Sequence, residues 1–271
     1  VTTGCCNVVI GNGADVASAT GNNQFIIGID ANKWICGDSS YNIYDKDGNQ
    51  LNGAAGFSPD ADENLVAGTD AGANLDGTNA CYNTLLGHCA GTNLTTASDS
   101  VMIGRGAGQT GTTTGNENVF IGKYAGKAAA SAANNVVIGK ESGCSLDSGA
   151  YNTFIGDSSG RSHTNGNYNI ISGYYAGNSQ TTANCNIKLG YNVGRKGNGN
   201  DNVMLGAGAG CETISECNVF IGFEAGHCMC SGNNNIAIGK QALCGSNTVA
   251  DNTGKYNISF GPSSGNYFWS V

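Results

Sequence analysis

The hydrophobic positions of this chain recur with a short period. Residues 64–265 repeat a phrase that reads asparagine, two residues, isoleucine or leucine, glycine, two residues, alanine or serine, glycine. It appears as NVFIGKYAG from Asn118, NVVIGKESG from Asn135 and NTFIGDSSG from Asn152. The first glycines of successive units are mostly 16 to 18 residues apart. A period this short and regular predicts a solenoid in which each coil stacks on the one before.

The three residues that directly precede the first glycine of each unit show the alternation of a short β-strand. The first and third are mostly aliphatic, as in Val101 and Ile103, and we expect them to face the solenoid core. A small residue three positions after the glycine, such as Ala107, fits a narrow interior corner. The glycines allow backbone angles that a side chain would forbid. The predicted fold is all-β, a parallel β-solenoid (β-roll) with coils of about 17 residues.

The middle strand position carries a second apolar row, which we expect to face away from the core. Because a large exposed apolar surface marks an interface, other copies of the chain are expected to cover this row. Three copies around one axis would bury it, so a homotrimer is favoured. The predicted interface residues are Met102, Phe120, Phe154, Met204 and Phe220.

An asparagine stands four positions before the first glycine in nearly every coil. A ladder of ligand-binding amides is one interpretation, and a structural stack of amides at a turn is the preferred one, because asparagine suits turn geometry. The predicted structural ladder comprises Asn83, Asn118, Asn135, Asn152, Asn169, Asn186, Asn202, Asn218 and Asn235.

One segment interrupts the period, between Gly28 and Gly68. We expect first solenoid coils over 1–32, an inserted hairpin wing over 33–63, and the main solenoid with a C-terminal aromatic cap over 64–271. The wing sequence YNIYDKDGNQL has an Asp-Gly pair typical of a hairpin turn. Aromatic residues of the wing form either a small satellite core or a surface that stacks on sugars. The candidate receptor contacts are Trp34, Tyr41, Tyr44 and, in the solenoid, Tyr174.

Composition excludes several classes of partner. Charged residues make up 12% of the 271 residues and the net charge is −8, so the basic surface of a nucleic-acid-binding protein is missing. No run of 18 apolar residues occurs, so membrane insertion is not expected. The chain opens inside a repeat unit, and we therefore expect it to be a piece of a longer protein.

The sequence contains no convincing metal-binding, phosphate-binding or catalytic motif. Its histidines, His88, His163 and His227, lie in different coils, and the segment from His227 to Cys230 matches no zinc-binding spacing. The glycine-rich stretch 206–210 lacks the lysine and helix pattern of a phosphate loop, and is interpreted as an ordinary coil corner. We predict no catalytic residue, no cofactor and no metal site, so the chain is not expected to be an enzyme.

The twelve cysteines leave disulfide formation open. Cys211, Cys228 and Cys244 fall on consecutive coils at nearly the same phase, so two of them could pair. Cys185 and Cys217 are two coils apart, about 9.6 Å, which is beyond disulfide reach.

The phrases NVFIGKYAG, NNIAIGKQAL and NTFIGDSSG resemble the head repeats of trimeric autotransporter adhesins. They are more similar still to repeats of bacteriophage tail fibres and tail spikes, as is the stretch from Trp34 to Asn42. The resemblance covers about residues 7–28 and 64–265, although the coils are longer than those of the adhesin heads. It implies a parallel β-roll that trimerises and contacts a cell surface.

The leading hypothesis is a structural fibre protein, a phage tail-fibre segment that mediates attachment to a host surface. The alternative is a bacterial surface adhesin or a self-assembling extracellular filament subunit. A polysaccharide-cleaving tail spike ranks last, because it would need paired carboxylates in a groove. The expected partners are further copies of the chain and a cell-surface polysaccharide or protein receptor, and the expected location is a virion tail or an extracellular surface.

Overall fold

A computed structural model describes four strands near the start of the chain and most of the repeat region. The described residues are 8–10, 25–29, 32–37, 43–45, 60, 62–76, 79–110, 113–227, 229, 231–244 and 254–265. The regular secondary structure of these described residues consists of β-strands. They contain no helix that is long and apolar enough to cross a membrane. The chain divides into two compact units, Val1–Asp60 and Ala61–Val271.

The first unit contains a four-stranded sheet. Strand β1 (Val8–Ile10) pairs in parallel with β2 (Phe25–Ile29), as expected for two stacked coils. Strand β3 (Asn32–Gly37) then pairs antiparallel with β2, and β4 (Ile43–Asp45) pairs antiparallel with β3. The second arm of the predicted hairpin, which follows the Asp-Gly pair, lies outside the described residues.

The second unit is a parallel β-solenoid built on a single twelve-stranded sheet. Each strand is three residues long and pairs in register with the strands of the neighbouring coils, which confirms the predicted fold class. The strands are β5 (Leu65–Ala67), β6 (Thr84–Leu86), β7 (Val101–Ile103), β8 (Val119–Ile121), β9 (Val136–Ile138), β10 (Thr153–Ile155), β11 (Ile170–Ser172), β12 (Ile187–Leu189), β13 (Val203–Leu205), β14 (Val219–Ile221), β15 (Ile236–Ile238) and β16 (Ile258–Phe260).

Hydrogen bonds between coils continue beyond the strands. In the turn after the first glycine, the amide of Tyr124 donates to the carbonyl of Arg105 at 2.9 Å, and the amide of Gly126 donates to Ser142 at 3.0 Å. These bonds satisfy backbone groups that would otherwise lack a hydrogen-bond partner inside the narrow coil. Each coil is therefore bonded to its neighbours on more than one side.

The middle strand position faces the core, which is the reverse of the orientation predicted from the sequence. Met102, Phe120, Phe154, Met204 and Phe220 are all fully buried within the single chain. They pack against the small residues of the corner, and together they form one hydrophobic cluster. The prediction that this row forms an interface between chains is wrong, because its surface is already buried by the chain's own coils.

The two flanking strand positions face outward instead. Most are half-buried, and several reach substantial exposure, such as Ile155 at 41% and Ile170 at 45%. They form two adjacent rows of aliphatic side chains along the twelve-stranded sheet. We call these two rows the outer sheet face. An uncovered apolar surface therefore exists, but the residues that carry it are not the ones expected.

The asparagine ladder is confirmed. The Asn152 side-chain oxygen accepts hydrogen bonds from the backbone and side-chain amides of Asn169, at 3.0 and 2.9 Å. The Asn152 side-chain amide donates to Asn135 at 3.1 Å and to the Gly166 carbonyl at 2.8 Å. The same pattern recurs along the stack, and every predicted member of the ladder is buried. Its amides therefore act within the fold and are not available to a ligand.

Several cysteines are unpaired thiols. Cys185 and Cys217, which were predicted to be too far apart to pair, are exposed free thiols, and Cys211 is a buried one. Cys228, one of its two suggested partners, lies outside the described residues.

Candidate functional site

Aromatic side chains line one side of the solenoid at the position directly after the first glycine. Tyr174, Tyr191 and Phe223 occupy this position in three coils, and all three are exposed. The rings of Tyr174 and Tyr191 stack in parallel, with centroids 5.8 Å apart and planes 5° apart. The spacing of the coils therefore brings aromatic faces into a ladder on the surface.

One rung of this ladder is missing. The coil between Tyr191 and Phe223 carries Ala207 and Gly208, which leave an open slot of about 270 Å³ between the two rings. A Cβ atom added at Gly208 would lie 3.3 Å from the Glu224 side chain, so the absent side chain keeps the slot open. We call this cavity the aromatic slot.

The walls of the aromatic slot are held by backbone hydrogen bonds. The Gly208 amide donates to the Tyr191 carbonyl at 2.9 Å, and the Glu224 amide donates to the Ala207 carbonyl at 2.9 Å. Asn192, Gly208 and Glu224 occupy equivalent places in the three coils and share a left-handed backbone, with φ of 51°, 68° and 53°. The slot therefore results from small side chains on a regular backbone, and it is formed without rearrangement.

Polar side chains surround the apolar walls. Asn192, Glu224 and His227 line the slot with Cys211, and each of the first three is half-buried. Glu224 accepts a hydrogen bond from the Gln241 side chain at 2.8 Å, which fixes its orientation. Burial raises the pKa of the Cys211 thiol, so this group stays neutral. The slot thus combines two aromatic faces with amide, carboxylate and imidazole groups.

The geometry suits a single ring-shaped ligand group. Two coils separate Tyr191 from Phe223, a rise of about 9.6 Å, so a group at the level of Ala207 would lie about 4.8 Å from each ring. That separation is similar to the 5.8 Å between Tyr174 and Tyr191. A planar ring or a pyranose inserted there would complete the ladder, and its edge groups would face polar side chains.

The predicted receptor contacts are distributed over the two units. Tyr174 lies in the aromatic ladder beside Tyr191, as an exposed side chain. Trp34 and Tyr44 belong to strands β3 and β4 of the first unit, whereas Tyr41 lies outside the described residues. Among these predicted contacts, Tyr174 is the one that the structure places in the aromatic ladder.

Sequence reasoning missed Tyr191 and Phe223, and it read the stretch 206–210 as an ordinary corner. Aligning the coils on the first glycine would have revealed the slot, because the position after that glycine reads tyrosine, tyrosine, alanine and phenylalanine in four successive coils. A small residue between large aromatics in a stacked column indicates a gap between rings.

Comparison with protein-family models, with curated proteins and with solved structures finds no match for this chain.

Proposed function

We propose that this chain is a non-enzymatic structural segment of an extracellular or virion fibre and that its aromatic slot binds a sugar unit on a cell surface. A phage tail-fibre segment for host attachment is the favoured assignment, supported by the repeat resemblance. A bacterial surface adhesin or self-assembling filament subunit is the second candidate, and it too would use the outer sheet face for self-association.

The aromatic slot is the observation that carries the binding proposal. The C–H face of a pyranose packs on aromatic rings, and its hydroxyl groups need partners at the edge of the ring. Tyr191 and Phe223 supply the two faces, and Asn192, Glu224 and His227 supply donors and acceptors. The slot is open without rearrangement, which lowers the entropic cost of binding.

The distribution of carboxylates argues for binding without cleavage. Glycoside hydrolysis in most families requires two carboxyl groups facing one bond, and Glu224 is the single carboxylate that lines the slot. Glu141, Asp157 and Glu212 instead form ion pairs with Arg161, Lys140 and Lys196. A polysaccharide-cleaving tail spike therefore remains the least favoured assignment.

Self-association is part of the proposal. The outer sheet face presents two rows of aliphatic residues along the solenoid, and burying them between copies of the chain would remove apolar surface from water. We favour a homotrimer, because three such faces can meet around one axis. No role for nucleic acid or for membrane insertion is proposed.

A glycan array of bacterial envelope oligosaccharides tests the binding proposal. We expect the wild-type chain to bind a subset of the array without releasing shorter products. Phe223→Ala should weaken binding about 2- to 13-fold, since one aromatic contact contributes about 0.5–1.5 kcal/mol. Ala207→Tyr should abolish binding, because the added ring would fill the slot.

A matched control is Tyr151→Ala, which removes an exposed tyrosine that stacks on Tyr168 at 5.1 Å in another column of the solenoid. Its glycan binding should equal that of the wild type. If Phe223→Ala and Ala207→Tyr bind the array as well as the wild type does, the slot is not the glycan site.

A further inference from the structure

Three potential metal ligands converge at the start of the main solenoid. Side-chain atoms of Asp70, His88 and Cys89 all lie within 4.8 Å of one another. The sequence indicates no partner for His88 at a fixed spacing, because Asp70 belongs to the preceding coil. The aspartate and histidine are exposed, whereas the cysteine is buried with 8% of its surface accessible. The cluster is separate from the aromatic slot, and it has no part in the proposed sugar binding.

Regular coil stacking brings these residues together. Asp70 and Cys89 occupy the same position in consecutive coils, two residues after the first glycine, and both have left-handed φ, at 56° and 57°. The Cys89 amide donates to the Thr69 carbonyl at 2.8 Å, which fixes the two coils at this point. The Asp70 carbonyl also accepts a hydrogen bond from the Thr92 hydroxyl at 2.9 Å. The backbone that carries the ligands is therefore already ordered.

The distances fit a tetrahedral zinc ion. Zinc bonds of about 2.3 Å to sulfur and about 2.0–2.1 Å to nitrogen place a sulfur and a nitrogen ligand about 3.6 Å apart. Cys89 Sγ and His88 Nε2 are 3.7 Å apart. The Asp70 carboxylate is exposed, so rotation of its side chain can bring an oxygen to the third position.

The chemistry of the set also favours zinc. A thiolate, an imidazole and a carboxylate are the three ligand types that zinc accepts, with water completing the tetrahedron at an exposed site. Calcium and magnesium prefer oxygen ligands and would reject the thiolate. We propose that Asp70, His88 and Cys89 bind a zinc ion that clamps the first two coils of the twelve-stranded sheet together.

The position of the site suggests what the bound zinc ion would stabilise. Strand β5 is an end strand of the twelve-stranded sheet, so among the described strands it pairs with β6 alone. Its middle residue, Val66, is 37% exposed, whereas the equivalent residue of the next coil, Leu85, is fully buried. Terminal repeats of solenoids need stabilisation that inner repeats obtain from two neighbours. Zinc bound between these two coils would hold the end coil in place.

Cobalt titration of the full-length reduced chain tests the site. Co²⁺ should give a thiolate charge-transfer absorption band that added Zn²⁺ abolishes. His88→Gln, an exposed change that leaves the core intact, should remove the band and weaken binding more than about 100-fold. This 100-fold loss is a minimum, because even the loss of a residue that only hydrogen-bonds to a metal ligand lowers metal affinity roughly 10- to 100-fold. Cys89→Ser should have the same effect.

Cys211→Ser is the matched control, since Cys211 is a free thiol with the same 8% exposure in a different coil. It should keep the band and the affinity. Zinc should also raise the melting temperature of the wild type but not that of His88→Gln. An absent band in the wild type, or an unchanged band and affinity in His88→Gln, would overturn the proposal.

Discussion

At the scale of single residues, the buried polar groups include three large side chains outside the asparagine ladder. Lys188 occupies the middle position of β12, between Ile171 and Met204 of the neighbouring strands, and is fully buried. His163 and Gln180 are buried in nearby coils. Within the described part of the chain, His163 Nδ1 and the Gln180 side-chain oxygen have no hydrogen-bond partner, which costs stability in a low-dielectric interior.

Burial has a direct effect on the ionisation of these groups. It lowers the pKa of Lys188 from its ordinary value of 10.5 to about 7, and that of His163 from 6.5 to about 4. Both shifts have the same cause, because a charged form loses its hydration when it is enclosed by apolar side chains. His163 is therefore neutral at physiological pH, whereas Lys188 titrates near pH 7.

We predict that Lys188→Met stabilises the solenoid by about 1–4 kcal/mol at pH 7, a range known from the replacement of buried ion pairs by packed apolar groups. The folded state binds the Lys188 proton less tightly than the unfolded state does. Wild-type stability should therefore rise as the pH increases from about 7 towards 10.5, and the advantage of the variant should shrink. Urea unfolding of both proteins across this range measures the difference.

Lys196→Met is the control for this change. Lys196 is exposed and pairs with Glu212 at 2.6 Å, so its loss should cost less than about 1 kcal/mol. A stability difference between wild type and Lys188→Met that does not vary with pH would show that Lys188 does not titrate within the fold.

At the scale of the coil, the first glycine sets how closely neighbouring coils can stack. Gly122 has a φ of 131°, a conformation that side chains rarely adopt, and a Cβ atom added there would lie 2.6 Å from the Gly139 carbonyl oxygen. The second glycine has a different role. A Cβ at Gly126 would lie 2.8 Å from the Phe120 ring, so this glycine makes room for the large core side chain.

Gly122→Ala and Gly261→Ala separate the two costs of adding a side chain. Gly261 has a φ of 105°, and no described residue lies within 4 Å of an added Cβ, so Gly261→Ala should cost only backbone strain, about 1–3 kcal/mol. Gly122→Ala adds the clash with the next coil, and it should lose more than about 3 kcal/mol. Thermal and urea unfolding measure both values. Equal losses would show that the coils separate to accept the methyl group without cost.

At the scale of the whole molecule, charges placed on the outer sheet face test the proposed association. Ile155→Glu combined with Ile170→Glu places two charges on this face, and burying them without partners would be costly. We expect the double variant to dissociate to monomers with an unchanged circular dichroism spectrum. Sedimentation equilibrium gives the mass.

Two further variants make this test specific. Phe154→Asp should unfold the solenoid and not merely dissociate it, because Phe154 is a fully buried core residue. Tyr151→Glu changes an exposed residue outside the strands and should leave the mass unchanged. A wild-type chain that is monomeric at all concentrations would remove the basis for the homotrimer.

The sequence by itself determined the coil of the main solenoid. The period of the asparagine and glycine positions predicts parallel stacking, because an in-register solenoid places equivalent residues of every coil in one column. The buried amide ladder at Asn135, Asn152 and Asn169 follows from the same argument. Each depends on residues one period apart, and that relation is visible along the chain.

Only the tertiary structure decided which strand face is buried. In most coils all three strand positions are apolar, so alternation alone does not separate the inner from the outer face. Closure of each coil around one central side chain, such as Phe120, selects the middle position, and the flanking Val119 and Ile121 are left at the surface. The glycine that accommodates the Phe120 ring was the one local signal of this choice.

Both candidate sites also depend on closure of the coils. The aromatic slot needs Tyr191 and Phe223 from coils on either side of a small residue, and the zinc cluster needs Asp70 beside His88 and Cys89. The sequence fixes the residue type at each place, but function requires side chains from different coils to lie within contact distance. That distance is set by the hydrogen bonds between coils, which exist only in the folded chain.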